Sequence, residues 1–201
     1  MDKVFYIADL HLGHANVIRF DNRPFLSVLE MQETILKNWN DRVDDKDYVY
    51  ILGDFVWGTE ADWRRIVPKF NGKKVLIQGN HDLKQISNTT RAMFHDIRAY
   101  KEISDNRRHV VLCHYPILMY NKSFDSSTFM LCGHVHVTKE NDLLEQFRAE
   151  IRRQTAAAGG NGPKGQIYNV GCMMPWMDYT PRTLDEIIER YGQAEKESAV
   201  K

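Results

Sequence analysis

The stretch Val4-Phe5-Tyr6-Ile7-Ala8-Asp9-Leu10-His11 decides how the chain is read, because an apolar run of strand length passes without a spacer into two side chains suited to metal ions. The same event recurs down the chain. Tyr48 to Leu52 runs into Gly53-Asp54, and Lys73 to Gln78 into Gly79-Asn80-His81-Asp82. His109 to Cys113 runs into His114, and Thr128 to Cys132 into Gly133-His134-Val135-His136. Ile97 to Ile103 and Ile167 to Val170 also read as strands. After the first run, Leu26, Leu29, Ile35, Leu36 and Trp39 recur at roughly helical spacing, and Glu60 to Phe70 carries a similar pattern. This alternation predicts an α/β fold with at least part of its sheet parallel. Ile97 to Ile103 and His109 to Cys113, joined across Ser104-Asp105-Asn106, predict an antiparallel hairpin, so mixed sheets are expected.

Open α/β sheets place their ligand crevice outside the carboxyl ends of the strands, where these polar blocks would meet although they are far apart in the chain. Any one Asp or His there reads most simply as a turn residue; five strand ends doing the same thing do not. Asp9 with His11, and His134 with His136, are i, i+2 pairs whose side chains an extended backbone points to one side. Glycine precedes Asp54, Asn80 and His134, where a missing side chain lets the backbone turn and approach an ion closely. Carboxylate, imidazole and amide donors without thiolates suit Mn²⁺, Fe or Zn²⁺ better than Ca²⁺ or Mg²⁺. The seven donors Asp9, His11, Asp54, Asn80, His114, His134 and His136 exceed what one tetrahedral ion takes, so two divalent ions sharing a carboxylate are expected, Mn²⁺ favoured.

The blocks D-L-H at 9–11, G-D at 53–54, G-N-H-D at 79–82, His114 and G-H-V-H at 133–136 resemble, in order, the calcineurin-like metallophosphoesterase superfamily. D-L-H-L-G-H-A-N at 9–16 is similar to its small prokaryotic and phage-like branch. The resemblance implies a four-layer αββα sandwich of two mixed sheets flanked by helices. It also implies that Asp9, His11 and His136 hold one metal, Asn80, His114 and His134 the other, and that Asp54 bridges them. A metal-bridging hydroxide would attack phosphorus, with unligated His81 as the acid toward the leaving group. Asp82 is read as a partner of His81, with a turn or helix-capping role as the alternative. Asn80, His14 and Arg23 are expected to contact substrate. Where many relatives continue G-D-x-x-D-R, this chain has Gly53-Asp54-Phe55-Val56-Trp57-Gly58, so an assisting acid and arginine are missing.

The chain's 201 residues, 43% of them hydrophobic, favour one domain over 1–192, with a helix and Gly-rich loop inserted at about 141–165 and a charged tail at 193–201. A capping box at Thr183 opens a last helix that Gly192 is expected to stop. Met173 to Tyr179, with Trp176 and Tyr179, reads as core packing before it reads as a cleft wall that stacks a base. Lys plus Arg and Asp plus Glu number 27 each, which gives no nucleic-acid signal and no pull toward a membrane. A nuclease is therefore a weaker alternative to hydrolysis of small phosphomonoesters or phosphodiesters, nucleotide-like ones included, and a non-catalytic scaffold has no need of so complete a ligand set. Three unpaired cysteines and no export signal lead to the expectation of a cytoplasmic protein.

Overall fold

Short runs of β-branched and aromatic residues build two sheets. In the first, β1 (Val4–Ile7), β2 (Tyr48–Ile51), β3 (Lys73–Ile77) and β4 (Asp96–Arg98) lie side by side in that order, all parallel. In the second, β5 (Tyr100–Asp105) pairs antiparallel with β6 (Arg108–Cys113), then β6 with β7 (Thr128–Cys132) and β7 with β8 (Ile167–Asn169) in parallel. The computed structural model describes residues 2–199, and the last two residues of the expected tail lie outside them. Among the described residues no helix is long and apolar enough to cross a membrane.

Parallel neighbours need crossovers, and helices supply them. After the short α1 (Ala15–Phe20), α2 (Val28–Asn40) and α3 (Glu60–Ile66, continued by a 3-10 turn over Val67–Lys69) carry the chain between strands of the first sheet, and the single turn α4 (Asn88–Arg91) precedes β4. Ser27 caps α2 by accepting from the Glu30 amide, and Thr59 with Asp62 forms a capping box on α3. The buried stripe of α2 is Met31, Ile35 and Trp39, at i, i+4 and i+8; Leu26 and Leu29, counted in the sequence pattern, point to solvent.

The second sheet is covered on both faces. Val110, Leu112, Phe129 and Leu131 join the main core with Ile7, Ile51 and Leu76 of the first sheet. Val111, Met130, Cys132 and Ile167 alternate to the other side, against Leu144 of α5 (Lys139–Ala157). With helices outside two facing sheets, the architecture is the four-layer sandwich. The helix expected as an insertion is thus a layer of the fold: it links β7 to β8, and its Leu144 and Arg148 are buried. Its many charges, typical of a half-exposed crossover, hid this role.

Two further differences have local causes. The single strand expected over Ile97 to Ile103 bends at Ala99 and divides between the sheets, with Arg98 still bonded beside β3 and Tyr100 paired with Cys113. The hairpin turns on Asn106 and Arg107, whose φ values of 49° and 66° are the pair a two-residue turn of matching twist requires. Finally α6 (Leu184–Ala199) starts at the expected Thr183–Glu186 box but runs through Gly192, since one glycine costs a helix only about 1 kcal/mol. Cysteines 113, 132 and 172 are unpaired.

Candidate metal centre

Every polar block sits where its strand ends. Asp9 and His11 follow β1, Asp54 follows β2 and Asn80 follows β3, while His114 follows β6 and His134 and His136 follow β7. The edge of β1 bonds to the segment after β8 (Ala8 N–H to Val170 O, Cys172 N–H to Ala8 O), which brings the carboxyl ends of both sheets together. The seven side chains expected as ligands therefore converge.

Their backbones are unusual. Asp9, His11, Asp54, His134 and His136 all have φ between 45° and 70°, a region that costs a non-glycine residue about 1–2 kcal/mol. Such conformations persist where the surroundings over-determine them, and five of them at one site direct side chains inward from chains that have just left a sheet. Glycines permit the crowding: a Cβ on Gly79 would lie 2.7 Å from the Asp54 backbone nitrogen, and one on Gly133 2.6 Å from Asp9 Oδ2.

Asp9, His11, Asp54 and His136 each offer a donor atom within 4.8 Å of the others. His11 Nε2 is 3.5 Å from Asp54 Oδ2 and 3.3 Å from His136 Nε2. On the other side of Asp54, His114 Nε2 lies 3.6 Å from Oδ2, and Asn80 Oδ1 is 2.8 Å from His114 Nε2 and 3.0 Å from His134 Nδ1. His114 Nδ1 donates to the Leu52 carbonyl at 2.8 Å, which leaves Nε2 as a lone pair facing the Asn80 oxygen. Two acceptors in that position repel unless a cation lies against both, so the donor set fits divalent ions.

Electrostatics agree. Burial pushes the Asp9 carboxyl up to about 7 and His11 down to about 2. Burial likewise holds His114 and His134 below the ordinary histidine value, in the neutral form that coordinates metals. His136 goes the other way: burial opposes its charge, but the hydrogen bond to Asp21 and the nearby Asp9 outweigh it.

Other expected residues take different places. Arg23 does not reach substrate: its guanidinium is buried, donating to both the Asp9 and Leu10 carbonyls and to Asp21. Asp82 does not partner His81; its buried carboxylate accepts from the Asp54, Phe55 and Gly79 amides and ties the loop after β2 to the loop after β3. Burial raises this carboxyl to about 6. His81 is exposed at the cluster's rim, its ring 5.6 Å from that of His11 and its amide bonded to Asp54 Oδ1. His14 stacks on Trp57 with ring centres 4.0 Å apart, beside His11. Trp176 and Tyr179 are core, the indole donating to the Asn169 carbonyl and the phenol ring packing on Phe25.

Three residues escaped sequence reasoning. Asp21 Oδ1 accepts from His136 Nδ1 at 2.8 Å and orients that imidazole. Asn169, fully buried, donates to the His136 carbonyl. Trp57 stands over the site. Asp21 follows no strand, Asn169 is the last residue of β8 but stands in no motif, and Trp57 lies in the second block, where this chain departs from G-D-x-x-D-R.

The calcineurin-like phosphoesterase profile matches residues 3–155, a span that holds all seven donors. The chain belongs to this family. One relative, an uncharacterized protein of Methanocaldococcus jannaschii, is 37% identical over 138 residues, which cover 68% of this chain and 70% of that protein. The Gene 66 protein of Mycobacterium phage L5 is 34% identical over 88 residues, 41% of each chain. Among solved structures, a protein of unknown function from Aquifex aeolicus shares the fold, with a TM-score of 0.64 over 94% of this chain and 99% of that one at 23% identity.

Proposed function

We propose that this phosphoesterase hydrolyses phosphomonoesters or phosphodiesters at two divalent cations, Mn²⁺ favoured. Asp9, His11 and His136 hold one, Asn80, His114 and His134 the other, and Asp54 lies between them. The observation that carries this reading is the crowding of donor atoms around Asp54, whose Oδ2 lies 3.5 Å from His11 Nε2 and 3.6 Å from His114 Nε2, with Asn80 Oδ1 2.8 Å from His114 Nε2. Bound there, the cations supply Lewis acidity and a nucleophile at neutral pH.

The protein's own groups do the rest. Asp9 and Asp54 bring two negative charges against four positive ones, so a surplus of positive charge remains to attract phosphate. Asn80 and His14 face the substrate, His14 in the neutral form that burial favours. His81, exposed and held at its backbone by Asp54 Oδ1 at 2.9 Å, donates the proton that the leaving oxygen needs. Asp82 acts at a distance by fixing both loops.

Protein loaded with Mn²⁺ is expected to cleave p-nitrophenyl phosphate or bis(p-nitrophenyl) phosphate, to lose that activity with chelator and to regain it with Mn²⁺. Asp54→Asn should lose bound metal and turnover together. His81→Asn should keep its metal while kcat on an alkyl ester falls by about 10²–10⁴. Undiminished turnover by protein shown to be metal-free would overturn the proposal.

A further inference from the structure

Between the first turns of α5, the loop Met173 to Tyr179 and the C-terminal half of α6 lies a cavity of about 460 Å³ that none of the seven candidate metal ligands lines. Its floor is apolar, from Met174, Pro175, Trp176 and Ala194. Three carboxylates, Asp142, Glu145 and Glu195, face the same space, and no lysine, arginine or histidine lines it among the described residues. Behind them Arg152 pairs with Glu195 at 2.8 Å and Arg148 with Glu145 Oε2 at 2.7 Å, whereas Asp142 has no ion pair among the described residues. Glu145 keeps a second oxygen, for Oε1 is buried with no hydrogen-bond partner among the described residues. Burial raises this carboxyl in spite of Arg148.

Asn141 adds a donor. The residue is only 9% exposed, and it is oriented from behind. Asn169 Oδ1 accepts from the Gly171 amide, so Asn169 Nδ2 is the group that donates, to the His136 carbonyl at 3.1 Å and to Asn141 Oδ1 at 3.0 Å. With its oxygen engaged there, Asn141 turns its NH₂ toward the cavity it lines, and that NH₂ has no partner among the described residues.

These groups exclude most occupants. An anion would meet three carboxylates. A metal ion needs lone pairs, and Asn141 offers it only N–H. A plain alkylammonium would satisfy Glu145 Oε1 but leave the Asn141 NH₂ unpaired in a nine-tenths-buried position. A protonated amine, an oxygen acceptor and an apolar body on one molecule satisfy all of them. Asn141 and Glu145 stand at i and i+4 of α5, on one face with Cβ atoms about 5–6 Å apart, so the amine and the acceptor belong on neighbouring carbons.

We propose that this cavity is a second binding site, for a small apolar primary amine of the vicinal amino alcohol class. The ammonium donates to Glu145 Oε1 beside Asp142, the oxygen accepts from Asn141, and the apolar body covers Met174, Pro175 and Trp176. The site adjoins the candidate metal centre only through Asn169, and it does not depend on the phosphoesterase reading.

Phenylalaninol, phenethylamine and 3-phenylpropanol share a phenyl ring on a short chain; the second lacks the hydroxymethyl group and the third lacks the amine. Isothermal titration calorimetry of the full chain at neutral pH should show one site for phenylalaninol. Its affinity should exceed that of phenethylamine by about threefold to tenfold, the contribution of one hydrogen bond, and that of 3-phenylpropanol by about tenfold or more. Asn141→Ala should remove the advantage over phenethylamine and keep the advantage over 3-phenylpropanol. Asp142→Asn and Glu145→Gln should each weaken both amines, whereas Glu150→Gln, on the same helix outside the cavity, should weaken neither.

No binding of phenylalaninol at millimolar concentration, or equal binding of the three compounds, would overturn the site. So would an acceptor preference that survives Asn141→Ala. Amine affinity that falls equally in Glu150→Gln and Asp142→Asn would mean diffuse attraction to α5 in place of a site. Should Glu145→Gln fail to fold, since its carboxylate also holds Arg148 and Tyr191, Asp142→Asn and the three compounds still decide the question.

Discussion

Asp21 and Arg23 do for the candidate metal centre what the side chains proposed as its ligands cannot do for themselves. Arg23 grips the carbonyls of Asp9 and Leu10 at 2.9 and 3.0 Å and so fixes the loop from which Asp9 and His11 project. Its other bonds, 2.7 and 2.9 Å to Asp21 Oδ2, hold the carboxylate whose second oxygen orients His136. Burial opposes the Asp21 charge, but His136 and Arg23 outweigh it and keep the carboxyl below its usual range. A charged acceptor on Nδ1 makes the opposite nitrogen a better donor to metal. Asp21→Asn keeps the shape and removes the charge, so Mn²⁺ affinity, measured by competition with a chromogenic chelator, should fall about 10- to 100-fold with the far-UV spectrum unchanged. Parent-like affinity in this variant would show that Asp21 serves packing alone.

Among the elements, the start of β1 depends on a residue outside any strand. Asp47, fully buried just before β2, accepts from the Lys3 amide at 2.8 Å and the Asp44 amide at 3.0 Å, while its own carbonyl accepts from Lys73 of β3. Burial works against its charge, yet these amides hold the carboxyl below the ordinary value. A depressed folded pKa contributes stability above the unfolded pKa and loses it as pH falls through the folded one. Asp47→Asn should therefore be less stable than the parent by about 2 kcal/mol at pH 7 in urea titrations, with the gap narrowing below about pH 4. A gap independent of pH would assign the loss to geometry instead of charge. The elements also show what a sequence can reveal. Strand ends rich in Asp and His were legible because β-formers and metal donors contrast sharply in type, and all seven donors meet as expected. The corner at Ala99 was not, since β-forming residues continue across it and only pairing partners reveal the change of sheet. Arg23 was misread because charge next to a motif looks the same whether it faces phosphate or backbone, and of the two readings of Asp82 its amide partners favour the turn role over the partnership with His81. Burial separates the two cases, and burial is a property of the fold.

At the scale of the whole molecule the two sheets meet where the side chains proposed as metal donors do. Asp9, Asp54 and Asn80 extend from the first sheet, while His114, His134 and His136 extend from the second. The protein alone already makes cross-ties there, with His114 Nδ1 bonded to the Leu52 carbonyl and the His134 amide to the Asp9 carboxylate. The same region stores unfavourable terms, namely five left-handed backbones, facing acceptors and buried carboxylates. Cations would relieve the electrostatic part and bridge the sheets, so binding is expected to read out as global stability. A ligand at 100 times its Kd that binds only the folded state adds about 2.7 kcal/mol, which for a chain of this length raises Tm by about 5–10 °C per site. Dialysis against chelator should lower Tm by at least that amount, and stoichiometric Mn²⁺ should restore it, whereas Asp54→Asn should show a much smaller response. The sheets should also come apart in one transition in either state, because their shared core of Ile7, Ile51, Leu112 and Leu131 is independent of metal. A Tm unmoved between protein proven metal-free and protein proven loaded would mean that the ions sit at the junction without bearing on it.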